Sequence, residues 1–159
     1  MKEEPFISPS RGPLSFDAMV ADIFQFIAAD PTARYKLIVG TDSQARDDVT
    51  FVTAVIVHRL GKGARYYYRR RVQPKITSLR QKIFYETAIS LTLADRLARR
   101  VREAGDPSLN VEIHLDVGNG GETRDLIREV TGMVTGSGFR AEIKPYSYGA
   151  SKVADRYTK

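Results

Sequence analysis

The stretch Tyr35-Lys-Leu-Ile-Val-Gly-Thr-Asp-Ser-Gln44 decides how the rest of this chain is read. Leu37, Ile38 and Val39 form an apolar, strand-favouring run, Gly40 and Thr41 follow, and Asp42 arrives where such a strand ends. In an open sheet with parallel neighbours, ligands and reacting groups collect at that edge, because loops leave there from a rigid scaffold. An aspartate at a strand end also serves as an ordinary turn or cap residue, so Asp42 alone assigns no chemistry. Its weight comes from acids placed in the same way further along.

The chain has 159 residues, of which 42% are hydrophobic, enough for one compact domain. The expectation is a single domain over residues 1–159, in which an N-terminal arm and an extra helix (1–34) precede a core at 35–159. The absence of cysteine excludes disulfides and Cys-ligated zinc. No run reaches the length of a membrane span, and the start Met1-Lys-Glu-Glu-Pro5 lacks a signal peptide's apolar core, so the expected location is the cytoplasm. A formal net charge of +6 favours a polyanionic partner.

Upstream of the opening strand, Pro5, Pro9 and Pro13 predict an irregular arm over residues 1–14. Ser15 then caps a helix whose Phe16, Met19, Val20, Ile23, Phe24 and Ile27 recur at helical spacing. Downstream, residues 50–58 and 65–72 read as two further strands of an antiparallel meander, joined at Gly61-Lys-Gly63. In the third strand, alternation puts Arg65, Tyr67, Arg69 and Arg71 on one face. Arginine interleaved with tyrosine suits gripping a phosphate backbone and stacking on bases, so these four, with Ser43 and Gln44 beside the first acid, are the expected nucleic-acid contacts. An edge strand protected from aggregation by charge is the competing explanation.

Residues 78–104 predict the longest helix, with Leu79, Ile83, Leu93, Leu97 and Val101 along one flank and Glu86 on that same flank. A carboxylate there is costly unless something pairs with it. Next, Val111-Glu-Ile-His-Leu-Asp116 is a second strand that ends on an aspartate. The following Val117-Gly-Asn-Gly-Gly121 lacks the Gly-Lys-Ser/Thr ending of a phosphate-binding P-loop and reads as a turn. A helix over 122–135, a strand over 139–144 and a short terminal helix starting between Ser147 and Ser151, with Asp155 inside it, complete the chain. Together the elements predict an α/β fold, a mixed five-stranded sheet of order 3-2-1-4-5 with helices on both faces. Right-handed crossovers set the fourth strand beside the first, so Asp42 and Asp116 share an edge.

This order of acids on elements resembles the ribonuclease H superfamily over residues 35–159. The segments Gly40-Thr-Asp-Ser-Gln44, Leu115-Asp-Val-Gly118 and Ser147-Tyr-Gly-Ala-Ser-Lys-Val-Ala-Asp-Arg156 look like a bacterial YkuK-like group of ribonuclease H-like proteins. The resemblance implies a ribonuclease H-like metal-dependent nuclease acting on RNA, RNA/DNA hybrid or structured DNA. It implies that Asp42, Glu86, Asp116 and Asp155 are the catalytic acids and hold Mg²⁺ or Mn²⁺ for a two-metal hydrolysis, with Asp125 and Glu122 as alternatives to Asp155. Physically, crowded carboxylates repel and raise one another's pKa unless divalent cations neutralise them. The chain lacks a basic protrusion after the long helix, so hybrid specificity does not follow from the resemblance. A catalytically silent nucleic-acid-binding module on the same fold is the alternative.

Overall fold

The computed structural model describes residues 3–106, 109–118 and 121–143, with backbone alone at 121 and 122. Its elements in chain order are β1 (Phe6–Ser8), β2 (Gly12–Leu14), α1 (Phe16–Ala28), β3 (Tyr35–Ala45), β4 (Val49–Arg59), β5 (Gly63–Gln73), α2 (Leu79–Glu103), β6 (Asn110–His114), a 3-10 helix (Gly121–Leu126), α3 (Ile127–Gly136) and β7 (Arg140–Glu142). All the strands join one mixed sheet of order β2-β1-β5-β4-β3-β6-β7. β3, β4 and β5 form the antiparallel meander, while β6 lies parallel to β3 and β7 parallel to β6.

Among the described residues the sheet therefore has seven strands, not five, and its order is longer than the five-membered one the sequence suggests. The difference lies in the arm, which is not irregular. Phe6 pairs with Leu14 and Ser8 with Gly12 in a small hairpin, and Ile7 joins that hairpin to Tyr68 of β5. The prolines mask it in the sequence. Pro13 sits on the outermost strand, where no further neighbour needs the N–H it lacks. Gly12 turns the hairpin at φ 75°, a conformation other residues rarely adopt.

Strand pairing sorts the side chains into rows. Leu37, Val57 and Arg65 are opposite one another, as are Val39, Val55 and Tyr67, then Thr41, Thr53 and Arg69, then Ser43, Phe51 and Arg71. Across β6 the same face continues through Val111 and Ile113. This face carries the main core, where Met19, Val20 and Ile23 of α1, Ile83, Leu93, Leu97 and Val101 of α2, and Val130 and Val134 of α3 all pack. The expectation of helices on both faces is thus not met among the described residues, since all three helices cover one face. The expected terminal helix lies outside the described residues. On the other face, Ile38, Ile56 and Tyr66 form one small cluster and Val52, Ala54 and Tyr68 another.

Helix ends follow local chemistry. Ser15 Oγ accepts from the Ala18 N–H at 3.1 Å, and Ser78 Oγ from the Gln81 N–H at 3.2 Å, so each helix begins where a side chain satisfies an orphan donor. Among the described residues no helix is long and apolar enough to cross a membrane.

Candidate active site

Register brings the acids together. Gly40 of β3 pairs in parallel with His114 of β6, and Asp42 and Asp116 each lie two residues beyond that pair. Asp42 lies inside β3, which runs on to Ala45, and not at its end as the sequence suggests, while Asp116 lies just past the end of β6, so the two acids stand level on neighbouring segments. Glu86 approaches from α2, on the apolar flank that its spacing predicts, and is only 7% exposed. With Thr41, Ser90 and Asp116 it lines one narrow cleft between α2 and the ends of β3 and β6.

A chain of hydroxyls holds α2 to β3 at this point. Ser43 donates to Glu86 Oε2 at 2.5 Å. One row further in, Thr41 Oγ1 lies 2.8 Å from Ser90 Oγ and 3.1 Å from Thr53 Oγ1, all buried. These buried polar groups satisfy one another and fix the height of the helix against the strand. Sequence reasoning did not anticipate them. Serine and threonine at alternate positions of β3 look like ordinary strand residues until the pleat turns them toward α2.

The electrostatics follow from burial. The Glu86 carboxyl is pushed up to about 8, first by burial and further by the charges of Asp42 and Asp116, against the opposing effects of the Ser43 hydrogen bond and the Lys82 charge. The donors on offer are carboxylate oxygens, hard ligands suited to Mg²⁺ or Mn²⁺, and their mutual repulsion is what a cation relieves. Among the described residues, however, no three His, Asp or Glu side chains are grouped closely enough to hold a metal ion. Asp155, assigned as the fourth acid, lies outside the described residues. Of its alternatives, Asp125 is exposed on the 3-10 helix, and the Glu122 side chain is not described.

The expected nucleic-acid strip on β5 is placed differently. Arg65, Tyr67, Arg69 and Arg71 do share a face, but it is the face that the helices cover. Tyr67 is fully buried and donates to Asp22 Oδ2 of α1 at 2.5 Å, and Arg65 Nη1 reaches both oxygens of Asp22 at 3.3 Å. Burial and the Asp22 carboxylate push the Tyr67 phenol up. Arg69 is buried against the Phe6 ring, with its guanidinium 4.5 Å from the centroid. These contacts make Tyr67 a core residue and not a base-stacking platform. Arg71 is exposed and Arg65 partly so, while Ser43 and Gln44 are half-buried beside Asp42.

The other face of the sheet carries a hollow of about 680 Å³ over Ile38, Ile56 and Ala64, rimmed by Lys36, Glu112 and His114. Glu112 Oε1 lies 3.1 Å from His114 Nε2, and this hydrogen bond, with Lys36 and Arg140 nearby, holds the Glu112 carboxyl below its usual range despite burial.

Comparison with known proteins agrees with this architecture. No solved structure matches the chain. An uncharacterized protein, YkuK of Bacillus subtilis (strain 168), is 39% identical over 168 residues, covering 97% of this chain and 96% of the relative. The family model described as "Ribonuclease H-like" matches residues 18–159. With its acids at the edge shared by β3 and β6, the chain belongs to the ribonuclease H-like family.

Proposed function

We propose that the chain is a metal-dependent nuclease that hydrolyses phosphodiester bonds in RNA, RNA/DNA hybrid or structured DNA. The observation that carries this reading is the buried carboxyl of Glu86, pushed up to about 8 by burial and by the charges of Asp42 and Asp116. Three acids at one sheet edge are an electrostatic cost that divalent cations offset, and strongly perturbed groups of this kind concentrate at functional sites. Asp42, Glu86 and Asp116 are not grouped closely enough for a metal ion as they stand, and would have to draw together, with Asp155 from the C-terminal stretch, to hold Mg²⁺ or Mn²⁺. When bound, these ions supply an activated water for attack at phosphorus and positive charge for the leaving oxygen. The chain's own residues prepare that chemistry. Ser43 orients Glu86 through its hydrogen bond, the Thr41–Ser90 contact sets the height of α2, and Glu86 gives up its proton before it can act as a ligand.

The test pairs activity with stability. Wild type and Asp42→Asn are assayed on RNA, hybrid and branched DNA with Mg²⁺ or Mn²⁺, and both are melted in EDTA. The expected result is cleavage by wild type and none by the variant, which melts at or above the wild-type temperature because one of the two charges that bear on the buried Glu86 is gone. A wild type that cuts nothing with either metal, together with a variant that melts lower, makes Asp42 a structural residue of β3 and ends the nuclease reading. Binding without cleavage by the wild type identifies a silent binding module instead.

A further inference from the structure

Beside the acids, the groove between α2 and β5 has a charge arrangement that the fold does not need. It encloses about 270 Å³ and is lined by Glu3, Arg69, Arg71, Tyr85, Thr92 and Arg96, among others. That is several times the ~30 Å³ share of one water. Among the described residues three guanidinium groups are answered there by one carboxylate. Arg69 is only 8% exposed, yet among the described residues its Nη1 has no hydrogen-bond partner, and Glu3 Oε1 is 3.6 Å away, beyond hydrogen-bond distance. Glu3 is instead forked onto Arg96, at 2.6 and 3.4 Å. Arg71 is exposed and has no carboxylate within ion-pair distance among the described residues.

A buried cation with an unmet donor is expensive, and native chains rarely leave one without a reason. Burial foremost, with the charges of Arg71 and Arg96 adding to it, pulls Arg69 below the ordinary arginine range, and Glu3 only partly offsets this. What the groove lacks is a second anion with several acceptor oxygens. Phosphate fits, because guanidinium forks match its geometry. Position argues for a phosphate within a nucleic-acid strand. Ser43, Phe51 and Arg71 are one cross-strand row, and the Phe51 ring packs on Tyr85, the neighbour of Glu86, at 4.7 Å. Two strand spacings separate Ser43 from Arg71, on the order of 10 Å.

We propose that this groove is a phosphate-binding subsite that seats a nucleic-acid strand beside the acidic edge, with Glu3 as a built-in competitor whose carboxylate the phosphate displaces. The proposal rests on the nucleic-acid reading of the site but not on cleavage. It is therefore tested without metal, in EDTA, by fluorescence anisotropy of a labelled single-stranded oligoribonucleotide across a salt series. Arg71→Gln, an exposed change that leaves the core intact, is expected to weaken binding about fivefold and to lower the slope of log K against log salt by ~0.7. Glu3→Gln is expected to tighten binding about threefold, and Glu4→Gln, the same charge change at an exposed neighbour, to leave it unchanged. An unchanged salt slope in Arg71→Gln, or equal effects from Glu3→Gln and Glu4→Gln, overturns the proposal. Failure of the wild type to cleave in the metal assay would end the nuclease reading while leaving these binding results in force.

Discussion

Glu86 shows how one residue joins fold to chemistry. Its place on the apolar flank of α2 is fixed by helical spacing, and that flank takes it out of water. Burial then disfavours its charged form, and the nearby charges of Asp42 and Asp116 do the same, so the carboxyl is pushed up to about 8 from an ordinary 4.5. Between those two values the folded chain holds a proton that the unfolded chain releases. The stabilisation is fully present below pH 4.5 and is lost as pH rises through about 8. In EDTA, the melting temperature of wild type should therefore fall from pH 5 to pH 8.5 relative to that of Glu86→Gln, which carries no titrating group there. A difference between the two curves that stays flat or rises with pH would show that Glu86 is charged throughout. Metal affinity should run the opposite way, strengthening toward pH 8 as the proton leaves.

At the scale of elements, β5 and α1 are locked by Asp22. This carboxylate is 5% exposed and receives Tyr67 Oη at 2.5 Å, Arg65 Nη1 at 3.3 Å and Arg11 Nε at 2.7 Å. Removing it leaves a buried hydroxyl and two guanidinium groups without their acceptor. Because Arg11 and Arg65 retain access to water, Asp22→Ala should cost about 3 kcal/mol, the low end for a broken buried pair. Asp30→Ala, at a more exposed ion pair with Lys62, should cost much less. Urea denaturation of both variants measures the contrast, and equal losses would mean that Asp22 is not a lock. The same network explains what was legible in the sequence. Periods of 2 and 3.6 identify which residues share a face, so the α2 stripe, the inward Glu86 and the level placement of Asp42 and Asp116 all follow from spacing. Spacing does not say what covers a face. Arg65, Tyr67 and Arg69 look as solvated as Arg71 because the acids that meet them, Asp22 and Glu3, come from α1 and the arm, distant in sequence. The arm itself was hidden by prolines that happen to fall where an outer strand tolerates them.

For the whole molecule, the arm decides where the sheet stops. Without β1 and β2, β5 would be the sheet's open edge, with its unpaired backbone groups available to a second chain. What holds β1 in place is chiefly Phe6. It is 1% exposed, lies 6.5 Å from the Phe16 ring of α1, and supports the Arg69 guanidinium at 4.5 Å. The half-buried Ile7 beside it points elsewhere and carries less. Phe6→Ala should accordingly cost about 3–5 kcal/mol, as deletion of a buried phenyl ring does. Ile7→Ala should cost less. Because the arm also carries Arg11 to Asp22, removal of residues 1–14 should both lower the melting temperature and produce concentration-dependent light scattering, as β5 edges find one another. Measured together, melting and scattering separate two roles for the arm. A truncated chain that melts lower but stays monomeric makes the hairpin a packing element alone. One that melts with wild type and does not scatter would show that it is not part of the folded unit.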